Sequence, residues 1–265
     1  MINISFFNSG SRAYSQIEWD QRLKSKQFKY TLLSGAIGAF VFLIFCLITT
    51  FVMNKFAIVH NYTVLNLKTL DLSVGLYAAV GIASLLLFVF SIVLIFFRNI
   101  PKLATTIAFY IIDSICLSII IGFVSLFVGY QSLLTAIGLS ALVYVLLAIT
   151  GFFISQKATR ILRLIYIILS VAFLIVFLIV IILSFTAFRN SQGVLVAQLI
   201  ISIIMLLVIS ISVVININNI KKQEIVADQK ALAQLVAWNG FILYHSYSRL
   251  LYYLLYFFIK IKRIV

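Results

Sequence analysis

Acidic residues are scarce in this chain: six Asp and Glu stand against 20 Lys and Arg in 265 residues, for a formal net charge of +14. Charged residues make up only 10% of the sequence, and hydrophobic ones 64%. A water-soluble domain of that composition would have almost no polar surface to present, which excludes an ordinary globular fold. Proline is nearly absent as well; Pro101 is the only one, so little interrupts a helix. The two cysteines, Cys46 and Cys116, lie inside apolar runs without metal-type spacing, which argues against a disulfide framework and a thiolate metal site. No His-Glu-x-x-His pair, Gly-rich phosphate loop or paired intramembrane aspartates occur, so neither catalysis nor a resident metal or cofactor is expected.

What the chain does contain is a series of apolar runs of about twenty residues, the length a helix needs to cross a hydrocarbon core about 30 Å thick. Helices satisfy their own amides where no water is available. Seven spans are predicted: Tyr30 to Met53, Leu72 to Phe97, Leu103 to Val128, Leu133 to Ile154, Ile161 to Phe185, Val194 to Asn219, and a more polar seventh from Val236 to Phe258. The expected fold is therefore all-α, a polytopic transmembrane helical bundle at residues 30–258. Residues 1–29 read as a retained cytoplasmic tail and 259–265 as a basic C-terminal tail.

The basic residues are scattered over short loops without a nucleic-acid-reading module, so they point to orientation rather than to nucleic acid. Arg12, Arg22, Lys24, Lys26 and Lys29 precede the first span. Arg98 and Lys102 follow the second, Lys157, Arg160 and Arg163 surround the fourth loop, and Lys221, Lys222 and Lys230 follow the sixth. By the positive-inside rule the N-terminus is cytoplasmic. Seven crossings would put Lys260, Lys262 and Arg263 outside with Lys55, Lys68 and Arg189, whereas a re-entrant last segment would return them to the cytoplasm; the reading adopted is seven crossings.

Of the six acids only Asp113 falls at the centre of an apolar span, where an ionisable group is costly and marks a functional position. Helical periodicity puts Thr106, Tyr110 and Asp113 on one face of span three. It puts Gln198, Ser202, Ser212, Asn216 and Asn219 on one stripe of span six, and Asn239, His245, Ser246, Arg249, Tyr253 and Tyr256 on one arc of span seven. A polar centre made by these three spans would bury them all. Depth along the helices matches Asp113 with His245 and Arg249, so a pair with one of them is expected. That partner decides the protonation of the carboxyl, since burial opposes its charge and a guanidinium favours it. Plainer roles stand beside these: Asp113 as a hydrogen bond between helices, Arg249 reaching to the interface, Asn216, Asn218 and Asn219 ending a helix.

The C-terminal region carries a family resemblance. An apolar helix ending in Val213-Val214-Ile215-Asn216-Ile217-Asn218-Asn219-Ile220-Lys221-Lys222 is followed by a mixed loop and then by Leu243-Tyr244-His245-Ser246 leading to Leu254-Leu255-Tyr256-Phe257-Phe258. In this order of features the chain resembles the bacterial Bax inhibitor family of seven-helix proteins, most clearly over its last hundred residues. Arg98, after Phe96-Phe97, is similar to the basic residue at the end of that family's second helix. The resemblance implies a calcium-permeable leak biased by an aspartate pair on helices six and seven. Asn216 and Ser246 stand at those positions here, and neither ionises to form a carboxylate latch. Three outcomes are open: a pathway without that sensor, Asp113 in its place, or no transport.

The site candidates are thus Asp113, Arg249, His245, Asn216, Ser246, Arg98 and Tyr110, serving an ion pathway or its gate. The expected partners are the lipid bilayer and calcium or another cation. Calcium prefers six to eight oxygens and usually several carboxylates, which a chain this poor in acids supplies badly. The competing reading is an interaction or regulatory protein that docks on other membrane proteins, such as quality-control proteases, without transporting anything. Small residues at Ser34, Gly35 and Gly38, and at Ala78, Ala79, Gly81, Ala83 and Ser84, suit close helix contact either within the bundle or with a partner. A preference for Ile, Leu, Phe and Lys fits a bacterial cell membrane.

Overall fold

The computed structural model describes residues 5–59, 74–96, 100–184, 192–224, 226 and 228–264. Among them run seven helices: α1 (Ser5–Val59), α2 (Val74–Phe96), α3 (Leu103–Val128), α4 (Tyr130–Phe153), α5 (Gln156–Ser184), α6 (Gln192–Lys222) and α7 (Gln229–Ile264). Five carry stretches long and apolar enough to cross a membrane: Gln21–Lys55, Leu103–Val128, Tyr130–Phe153, Gln156–Val180 and Val196–Lys222. The chain is a multi-pass helical membrane protein. Its outer surface agrees with that medium, since Leu33, Ile37, Phe40, Ile48 and Phe51 of α1 and Ile161, Leu164, Ile168 and Val171 of α5 are all exposed.

Helix α7 is the hub. It packs against α1, α3, α4 and α6, while α2 lies outside on α3 and α5 outside on α6. Burial follows this order: 67% of the apolar window of α3 is buried, against 6% of that of α5. The hub is also the most polar of the predicted spans, because its neighbours are protein rather than lipid. Contacts at both ends show that it traverses the bundle. Asn239 meets Gln223 at one end, and Lys260 donates to Gln198 at the other. Gln198 lies on α6 and Gln223 directly follows its last residue, so the two contacts are about 37 Å apart along that helix.

The helices extend into both predicted tails. The polar segment ahead of Tyr30 is the start of α1, helical from Ser5, and the basic segment after Phe258 is helical to Ile264, with Lys260 buried. Without proline, and with good helix formers present, extending an existing helix costs little per residue. Arg98, Lys68 and Arg189 lie outside the described residues.

Local chemistry sets the connections. Gly129, at φ 87°, is the single residue between α3 and α4, in a region that a side chain bearing a Cβ rarely adopts. Ser155 opens α5 by accepting the Ala158 N–H at 3.3 Å, and Asp228 opens α7 by accepting that of Ala231 at 2.9 Å.

The asparagines read as helix-ending residues lie inside α6, which continues to Lys222. Asn218 caps a different helix. Its Nδ2 donates to the carbonyls of Gly151 (3.2 Å) and Ile154 (3.0 Å), while its Oδ1 accepts from Thr159 (3.2 Å) and from Lys222. Lys221 adds a 2.9 Å hydrogen bond to the Phe152 carbonyl. The free carbonyls at the end of α4 are thereby satisfied by α6 side chains. Asn218→Ala is expected to cost about 1–3 kcal/mol in thermal unfolding of the purified protein, and Asn219→Ala, on the exposed side, less than about 0.5 kcal/mol. Equal losses would contradict this assignment.

Candidate functional site

The polar centre forms where α3 crosses the hub. Asp113 is fully buried, ten residues into α3 and hence about 15 Å along it. Arg249 Nη2 donates to Asp113 Oδ1 at 3.3 Å, and His245 Nδ1 lies 3.3 Å from Oδ2. Histidine and arginine four residues apart share one face of α7, so a single carboxylate meets both. The two contacts differ in kind. That with Arg249 is a hydrogen bond, whereas Oδ2 and His245 Nδ1 are close without completing one. Oδ2 of the carboxylate therefore faces the imidazole inside the bundle.

Exposure is graded around the cluster: the side chain of Asp113 is 0% exposed, that of Arg249 19% and that of His245 26%. Charge is thus deepest at the acid, and both bases reach toward more open surroundings. The carboxylate is also walled by aromatic rings. Ser114, the next residue of α3, shares a 2.7 Å hydrogen bond with Tyr244, whose ring stacks on Tyr110 at 5.1 Å. Phe241 packs against Tyr110 at 5.2 Å and against His245 at 5.6 Å.

The other candidates occupy neighbouring positions. Asn216 donates to Ser212 at 3.3 Å and across to Ser246 of α7 at 3.5 Å, so two of the polar stripes do meet. They meet in a side contact and not in the Asp113 cluster, because Ser246 is one residue, or about 100°, further round α7 than His245. Asn219 turns away to Arg163 of α5 at 3.4 Å. Between α6 and α7, Asn216, Asn219, Gln223 and Asn239 line a cavity of about 210 Å³ together with Trp238 and apolar side chains. Tyr110 belongs to the α1 contact, its hydroxyl 3.4 Å from Ser34 Oγ. Arg98 is outside the described residues, so its proximity to the centre is not part of the geometry.

Periodicity did not single out Ser114, Tyr244 or Asn218. The first two flank residues it had chosen, and hydroxyls beside a buried charge are a usable signal; Asn218 was visible only as one of three similar asparagines. Glycine and serine make the close approach possible. A Cβ on Gly35 would lie 3.2 Å from the Gly240 carbonyl, and one on Gly38 would collide with the Tyr110 ring. The small residues of α1 are thus used inside the bundle, whereas on α2 Ala83 is buried and Ala78, Ala79, Gly81 and Ser84 are exposed. No group of three or more His, Cys, Asp or Glu suited to a metal ion occurs among the described residues. No protein-family model matches the chain, and no curated protein matches it.

Proposed function

We propose that this membrane protein is a cation leak pathway of the Bax inhibitor type, held shut by the Asp113–Arg249–His245 cluster. The observation that carries the reading is a fully shielded carboxylate clamped between two bases of the hub helix, each 3.3 Å away. Intramembrane charges of this kind are costly and accompany ion and proton pathways. The cavity beside Asn216, at the end of the bundle where α7 begins, adds polar side chains of α6 and α7 without reaching the cluster itself. In the shut form Arg249 neutralises Asp113; when its long side chain swings aside, the carboxylate becomes the one negative point on the route.

The resemblance implies calcium, but a lone carboxylate between two bases offers a divalent ion little. Sodium or potassium is the better first substrate to measure. All seven helices cross the membrane in this reading, since α7 runs from one end of the bundle to the other. The N-terminal side faces the cytoplasm of a bacterial cell, because Lys26, Lys29, Lys102, Lys157, Lys221, Lys222 and Lys230 belong to one end.

Reconstituted protein is expected to pass sodium or potassium above the rate of empty vesicles. Arg249→Gln should raise that flux several-fold and Asp113→Asn should lower it, with the double variant following Asp113→Asn. No flux in the parent protein or in any of the three variants, measured on monodisperse protein, would exclude the pathway. It would then favour docking on another membrane protein, for which the exposed Ala78, Ala79, Gly81 and Ser84 of α2 offer a close-packing face.

A further inference from the structure

An apolar groove of about 710 Å³ runs between α1, α3 and the first turns of α7. Its volume lies within the range of roughly 300–1,000 Å³ typical of ligand sites. Leu33, Ile37 and Val41 form one wall, Ile107 and Ile111 the other, and Val236 closes the end near the start of α7. The groove opens sideways between segments long and apolar enough to cross a membrane, so hydrocarbon is the medium at its mouth. Tyr110, Ser34 and Ser114 are its polar floor, and through the 2.7 Å hydrogen bond of Ser114 to Tyr244 that floor borders the interior. None of Asp113, His245 and Arg249 lines it.

Charge at one end of the groove selects the occupant. Lys26 and Lys29 are exposed one helical turn before Tyr30 and Leu33, which both line the groove, so their side chains extend the same face of α1. On the other side exposed Lys230 lies in the first turn of α7, about 100° round from the lining residue Gln229, and its long side chain is what can reach back to that end of the groove. The nearby acids are Glu224 and Asp228, and the latter is engaged in opening α7 through Ala231. Apolar walls within the bilayer, ending in three lysines where the helices leave it, match the two parts of an acidic lipid.

We propose that this groove is a binding site for one anionic phospholipid, with an acyl chain between α1 and α3 and the phosphate held by Lys26, Lys29 and Lys230. The assignment is independent of conduction. It is tested by native mass spectrometry of the intact chain in detergent, titrated with phosphatidylglycerol or phosphatidylcholine. One phosphatidylglycerol per chain should be retained at least about tenfold better than phosphatidylcholine. Lys26→Ala/Lys29→Ala/Lys230→Ala should remove that preference, and Ile111→Trp, which fills the groove, should lower retention of phosphatidylglycerol. The triple variant changes only exposed residues, so it keeps the test open if the tryptophan variant does not fold. Equal retention of the two lipids, an unchanged preference in the triple variant, or a lipid-free dimer of the chain would overturn the proposal.

Discussion

Arg249→Met is expected to destabilise the folded protein by about 3 kcal/mol or more, and by clearly more than Asp113→Asn. Removing one partner of a buried ion pair leaves the other charge without compensation, which typically costs about 3–5 kcal/mol. The burden is unequal because the acid is completely buried whereas the bases are 19% and 26% exposed at their side chains. Arg249 has a long stem and some access to better solvation; Asp113 has neither. His245 at 3.3 Å softens the loss without abolishing it, since an imidazole pairs with the carboxylate as a charge only when protonated. Asp113→Asn keeps an oxygen for Arg249 and should cost nearer 1–2 kcal/mol. Reversible unfolding of the variants in one detergent measures all of this. The double variant should lose less than the two single ones combined, with a coupling of about 1 kcal/mol or more. Additive losses, or a smaller loss in Arg249→Met than in Asp113→Asn, would show that the pair does not hold the helices together.

Gly240→Ala should produce the next largest effect from the smallest chemical change. A methyl group there would stand 2.6 Å from Ser34 Cβ and 2.9 Å from the Tyr110 hydroxyl, and closer still to Ser34 Oγ. Two of these atoms are on α1, and the nearest belong to a short side chain fixed to the helix, so α1 must move away from the hub. Overpacking of this kind costs about 1–3 kcal/mol. Ser34→Gly removes the obstructing atoms and should restore most of the loss, whereas Gly81→Ala, with nothing within 4 Å, should be nearly silent. If Ser34→Gly fails to rescue, the α1–α7 contact is not what the glycine serves.

Much of this arrangement was readable from residue order. Apolar length located the helices, and three-dimensional placement of Asp113 with His245 and Arg249 follows from two facts of spacing: matched depth, and four residues between the bases. What could not be read is which helix occupies the middle. The seventh span is the most polar of those predicted, and that polarity goes with a helix packed against four others. The extent of the end helices was not readable for a related reason, since a helix can continue past its apolar stretch where no proline stops it, so a tail and a helix end look alike in composition. Asn218 shows the remaining gap. Its neighbours Asn216 and Asn219 are chemically identical, and only the packing of α4 against α6 gives the middle one the carbonyls of another helix to bond.

The hub position of α7 has a consequence for biogenesis. Asp113 and Arg249 are 136 residues apart, so at a synthesis rate of roughly 5–20 residues per second the acid precedes its guanidinium by on the order of ten seconds. During that interval α3 carries a membrane-depth carboxyl with no arginine to meet it, and the site that α7 will fill is vacant between α1, α3, α4 and α6. Nascent chains halted before Gln229 should therefore be held by insertion machinery or removed by proteolysis, and late arrival of one helix becomes the step that commits the whole bundle to its final form.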